Sequence, residues 1–207
     1  AGWPEPRRSA LTNSTDATMK CVYLDIAHVL HPSVSTYRLA HGKTPWADGH
    51  APYENRPLLE SALAPWPEAR IVLSDWTAVV EGLEVVKAHL GSLAERVTGT
   101  LYEDLTTKVF RTVPLRNGGE RTVGYSPDDV RRMTRRQAAS PHVRWCKPAA
   151  RVAFSSDYQG WPDPWKQEHV VLTDMHKALD RAAMQHRLAT ALAMNFGSDA
   201  SSDLVSP

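Results

Sequence analysis

The chain is poor in cysteine: its 207 residues include only Cys21 and Cys146. Far apart in sequence, and with one of them inside an apolar run, they make neither a disulfide framework nor a zinc site. The expectation is a reducing, cytoplasmic setting. The chain also lacks charge of one sign, since 24 basic and 23 acidic residues leave a net charge of +1. Composition therefore makes no case for nucleic acid or an acidic membrane as partner. No apolar stretch is long enough to cross a bilayer. The segment Ala1–Lys20 is polar, contains proline and has no apolar signal-peptide core. There is no internal repeat, no G-x-S-x-G nucleophile elbow and no Walker-type phosphate loop.

What is present is the composition of a globular domain, 42% apolar and 23% charged, at a length that suits one domain with a substantial core. Five short apolar runs read as strands: Cys21–Ile26, Arg70–Ser74, Arg96–Leu101, Arg151–Ser156 and His169–Asp174. Runs this short and continuous are the pattern of strands buried on both faces. Helical stretches fall between them. Pro57–Ala64 opens with a proline suited to a first turn. Val79, Leu83, Val86 and Leu90 share one face, and Ala183, Met184, Leu188 and Ala191 share another within Leu179–Asn195. Asp128–Ala139 is a basic helix candidate.

This alternation predicts an α/β fold, doubly wound around a mostly parallel five-stranded Rossmann-like sheet. Residues 1–18 read as a flexible leader, 19–197 as the domain and 198–207 as a disordered tail. Two insertions break the rhythm. Residues 31–55 form a long loop or flap without periodicity. Residues 108–123 carry Asn117-Gly118-Gly119 between strand-like flanks, a β-hairpin signal.

In open parallel sheets, ligands bind beyond the carboxyl ends of the strands. Asp25, Ser74, Ser155, Ser156, Asp157 and Asp174 stand at those ends. The set suits phosphoryl transfer. A carboxylate can attack phosphorus, a hydroxyl and a cation can hold the phosphoryl oxygens, and further carboxylates can hold Mg²⁺.

Four segments carry a family resemblance. Tyr23-Leu24-Asp25-Ile26-Ala27-His28-Val29-Leu30 resembles the first motif of haloacid-dehalogenase-like (HAD) proteins, and Ile71-Val72-Leu73-Ser74 resembles the second. Phe154-Ser155-Ser156-Asp157, followed by Gly160-Trp161-Pro162, resembles the acidic fourth motif, and Val171-Leu172-Thr173-Asp174 the strand after it. The order is that of the family, over roughly Met19 to Gly197. The chain is most similar to small bacterial HAD domains grouped with RNA-repair "Swiss Army knife" proteins. The resemblance implies a HAD sheet and a phosphatase-type hydrolase. It makes Asp25 the nucleophile, Ser74 and Arg135 the phosphate ligands, and Asp25, Asp157 and Asp174 the ligands of Mg²⁺. The arginine cluster Arg131–Arg136 equally suits a solvated helix face. An RNA connection enters only by analogy with the sub-group.

The chain departs from the family pattern at defined positions. The second acid of the first motif is Ala27, which can neither give nor take a proton; losing such a group typically costs about two to four orders of magnitude in rate. His28 replaces a glycine there, and it or His31 could take over acid–base work because imidazole titrates near neutrality. Ser155 and Ser156 stand where metal-binding acids belong, so the Mg²⁺ site is weakened or lost. Two readings follow: a HAD-type phosphohydrolase with Asp25 and His28 as catalytic residues and a small phosphorylated substrate, or a catalytically lapsed HAD-fold module that binds a protein partner. Histidines 28, 31, 41 and 50 lack a diagnostic metal spacing. Cys21 reads as inert core, and six tryptophans (46, 66, 76, 145, 161 and 165) sit mostly at loop or element ends, suited to a cleft or to packing at the sheet rim.

Overall fold

The computed structural model describes residues 19–32, 49–107, 111–114, 118–123, 125, 129–130, 132–166, 169–174 and 182–197. The leader, the tail and most of the first insertion lie outside these residues. The strands in chain order are β1 (Lys20–Leu24), β2 (Arg70–Leu73), β3 (Val97–Thr100), β4 (Arg111–Pro114), β5 (Glu120–Val123), β6 (Ala150–Ser155) and β7 (Val170–Leu172). The helices are α1 (Arg56–Leu63), α2 (Thr77–Glu81), α3 (Leu83–Leu90), α4 (Leu101–Thr107), α5 (Arg135–Cys146), α6 (Asp163–Lys166) and α7 (Ala182–Phe196).

Each of the five apolar runs forms a strand of one sheet, in the order β3-β2-β1-β6-β7. All neighbours are parallel, with Leu24 level with Leu73 on one side and with Phe154 on the other. β4 and β5 pair separately and antiparallel, Arg111 opposite Val123 and Pro114 opposite Glu120.

Alternation along β1 feeds two cores. Val22 and Leu24 point to the face covered by α1, α3 and α7, through Leu59, Leu63, Val86, Leu90, Leu188 and Leu192. Cys21 and Tyr23 point to the face covered by α4, α5 and α6, through Leu101, Leu105, Ala138, Ala139 and Trp165. This is the period-2 geometry of a strand buried on both sides. Each fully buried leucine stabilises the fold by roughly 1.5–3 kcal/mol. The second core also holds a polar chain: Tyr23 Oη lies 3.0 Å from His142 Nδ1, and His142 Nε2 lies 3.1 Å from Asp104 Oδ2. Cys21 is buried there, and burial pushes its thiol well above the ordinary value. Among the described residues, no helix is long and apolar enough to cross a membrane.

The helices differ from the sequence reading in their limits and in the residues they bury. The helix expected over Asp128–Ala139 is interrupted: Asp129 and Val130 are helical, residues 132–134 are not, and α5 then runs over Arg135–Cys146. Its start is set by a capping box in which Thr134 Oγ1 accepts from Gln137 N, while the Gln137 side chain accepts from Thr134 N. It continues through Pro141, which the burial of Ala138, Ala139 and His142 on the same face offsets. The face Val79–Leu90 is cut at Gly82, whose φ of 94° ends α2 and starts α3. Val86 and Leu90 are buried while Val79 is exposed. In α7 the buried stripe is Met184, Leu188, Leu192 and Phe196, and Ala183 faces out.

Candidate active site

The strand order decides which loop residues meet. β2, β1 and β6 are adjacent at the centre of the sheet, and their carboxyl ends carry Ser74, Asp25 and Ser155. Backbone pairing continues one step beyond the strands: Asp25 N donates to Phe154 O at 3.0 Å and Ser74 N to Leu24 O at 2.8 Å. The three side chains therefore stand side by side at one edge.

Asp25 is 1% exposed, and both its oxygens are engaged. Ser74 Oγ donates to Oδ1 at 2.7 Å, and Ser155 Oγ donates to Oδ2 at 2.5 Å. Arg135 reaches in from the first turn of α5, with Nη1 3.2 Å from Asp25 Oδ2. The same nitrogen donates to Ser155 Oγ at 3.0 Å and to Asp157 Oδ2 at 3.3 Å. Arg135 thus bridges a buried carboxylate and a half-exposed one. Asp157 is fixed by a turn, its Oδ1 accepting from Gly160 N at 3.0 Å.

A residue passed over in the sequence completes the cluster. Asp75 is buried, and its Oδ2 accepts from two successive amides of the loop after β1, Ile26 N at 2.7 Å and Ala27 N at 2.9 Å. Thr77 Oγ1 donates to the same oxygen, and Thr77 N to Oδ1. Adjacent N–H groups converging on one oxygen form an anion cradle. The carboxylate that fills it belongs to the chain itself. No sequence signal points to this, because donor and acceptor are 49 residues apart and meet only through the β1–β2 pairing.

The electrostatics follow from crowding acids in a dry place. Burial pushes the Asp25 carboxyl up to about 6; Arg135 opposes the rise, Asp75 adds to it, and the Ser155 and Ser74 hydrogen bonds oppose it. Asp75 is also raised by burial, against the pull of the Ala27 amide, Arg135, the Ile26 amide and Thr77. Burial acts to lower Arg135, but Asp25, Asp75 and Asp157 outweigh it and hold the guanidinium above its usual value.

The predicted site residues divide. Asp25, Ser74, Arg135 and Asp157 come together as one cluster. Ser155, read as a strand-end residue standing where a metal-binding acid is usual, joins them through its hydroxyl, which donates to Asp25 and accepts from Arg135. His28 and Asp174 are not among the groups bonded to the Asp25 carboxylate, which are Ser74, Ser155 and Arg135. His28 sits in a tight turn at φ 64°, its carbonyl accepting from Thr173 Oγ1 at 2.7 Å. His31 is buried, its Nδ1 accepts from Tyr53 N, and burial lowers its imidazole to about 4. Among the described residues, no three Asp, Glu, His or Cys side chains gather to hold one metal ion. Of the three acids that the resemblance makes ligands of Mg²⁺, Asp25 and Asp157 are joined in this structure by the Arg135 guanidinium, at 3.2 and 3.3 Å.

Beside the cluster opens a cavity of about 470 Å³, with Arg135 and Asp157 in its wall together with Trp76, Tyr102, Met133, Thr134, Arg136, Gln159 and Gly160. Comparison with family models, with curated proteins and with solved structures yields no match in any of the three.

Proposed function

We propose that this protein is a HAD-like phosphohydrolase in which Asp25 is the nucleophile and Arg135, rather than a metal ion, supplies the positive charge. The observation that supports this is the bracketing of the Asp25 carboxylate by Ser74, Ser155 and Arg135 at the carboxyl edge of three adjacent central strands. An Asp25 oxygen attacks the phosphorus of a small phosphomonoester. The P–O bond to the alcohol breaks, and an aspartyl-phosphate forms. Ser74, Ser155 and Arg135 turn from the carboxylate to the phosphoryl oxygens, whose charge they offset in a dry site. The leaving oxygen takes a proton that Ala27 cannot give. It comes from a water molecule, since both oxygens of the nearby Asp75 accept hydrogen bonds from the Ile26 and Ala27 amides and from Thr77. Water then attacks the aspartyl-phosphate, releases inorganic phosphate and restores the carboxylate.

One observation favours the second reading, a lapsed binding module: the Asp75 carboxylate occupies the Ile26 and Ala27 amides that an incoming oxyanion would use. A single experiment separates the two. Turnover is measured over a panel of phosphomonoesters for the wild type and for Asp25→Asn. Turnover that vanishes in the variant supports the hydrolase. No turnover on any ester, or turnover indifferent to the substitution, overturns it.

A further inference from the structure

We infer that the cavity beside Arg135 is a subsite for the planar base of a nucleoside leaving group, which makes nucleoside monophosphates the substrate class; this rests on the phosphohydrolase reading. Trp76 and Tyr102 stack with centroids 4.5 Å apart and planes 20° from parallel. Both line the cavity. Tyr102 is buried at the base of the pair, and Trp76 is half-buried above it. A half-buried indole already braced on a second ring is a rigid platform, and a base laid against it costs little ordering.

Position links this platform to the chemistry. Trp76 follows Ser74 and Asp75 directly in the chain. Arg135 and Asp157 are shared by the cavity wall and by the cluster around Asp25. A phosphoryl group held at Arg135 therefore extends its leaving group into the space that the rings border.

Size and polarity narrow the class. About 470 Å³ falls within the usual range for small-molecule sites of about 300–1,000 Å³ and exceeds what a single phenyl ring fills. Gln159, whose Oε1 takes a hydrogen bond from Lys166 at 3.4 Å, offers its amide nitrogen to the edge of a base. Arg136 points to the rim and pairs with Asp163 at 2.9 Å, whereas Arg135 pairs with Asp25 and Asp157 and is the cation of the wall that reaches the proposed nucleophile.

The test compares AMP with ribose 5-phosphate, which has the same phosphoryl group and sugar and no base. The base takes no part in bond making, so its contribution is to KM and to kcat/KM. Stacking on an aromatic side chain corresponds to about tenfold or more in affinity. The expected result is a kcat/KM for AMP at least about tenfold above that for ribose 5-phosphate, with the ratio collapsing in Trp76→Ala. Equal kcat/KM for the two esters overturns the subsite and leaves the phosphohydrolase reading standing. Binding is also read without catalysis, as quenching of tryptophan fluorescence in Asp25→Asn. Quenching by AMP at concentrations where ribose 5-phosphate has no effect supports the subsite even if the enzyme reading fails. Absence of quenching by AMP up to millimolar concentration overturns it.

Discussion

Asp25→Asn is expected to make the protein more stable at neutral pH, and the size of the gain follows from the site. The Asp25 carboxyl is raised from 3.8 to about 6 in the fold, with burial as the chief cause. A carboxyl that holds its proton more tightly when folded favours the folded state below its unfolded value. That advantage falls as pH rises from about 4 to about 6, and above this the ionised, buried Asp25 weighs fully against folding. Each tenfold change in proton affinity is about 1.4 kcal/mol, so the cost at pH 7 is on the order of 3 kcal/mol. Asparagine keeps the shape and carries no charge. The serine hydroxyls can rotate to meet its amide, while Arg135 retains Asp157 at 3.3 Å. Urea unfolding of both proteins at pH 4 and pH 7 measures the effect. The variant's advantage should grow between the two pH values by on the order of 3 kcal/mol. A stability difference that is the same at both pH values would refute the argument.

Four further outcomes follow. Arg135→Met should lower phosphoester turnover by about 10²–10³-fold, the usual effect of removing one preorganised charge-stabilising donor, with Arg135→Lys recovering part of it; turnover within a few-fold of wild type in the methionine variant counts against the role. Turnover should survive chelation of divalent cations by EDTA, since Arg135 joins Asp25 to Asp157; complete loss on chelation and return with Mg²⁺ contradicts this. Asp75→Ala strips the Ile26 and Ala27 amides of their acceptor and should cost on the order of 2 kcal/mol in urea unfolding, relief of repulsion with Asp25 offsetting part of a larger penalty. Thr134→Ala removes the capping box of α5 and should cost about 1 kcal/mol, seen as a Tm lower by a few degrees; an unchanged Tm would mean that packing alone sets the start of the helix.

The sequence by itself determined the sheet. Runs such as Cys21–Ile26 and Arg151–Ser156 are apolar at every other position on both faces, and only a strand covered on both sides satisfies that pattern. It also placed Asp25 and Ser74 at strand ends, because a strand that must stay apolar announces its end with its first polar residue. Helix limits were less legible: the Thr134 cap outweighed the basic, weakly periodic stretch before it, and Gly82 cut a face that spacing alone made continuous. The tertiary structure decided the site. Whether Ser155 is a lost metal ligand or a hydrogen-bond donor depends on β6 lying next to β1. Arg135 stands apart from the rest of the Arg131–Arg136 run because the α5 cap puts it in the first turn, over the sheet edge. The Asp75 contact exists only because parallel pairing carries one loop across to the amides of another. Strand identity is a local property of side-chain alternation, whereas a site of this kind is a property of strand order, which no single stretch of sequence encodes.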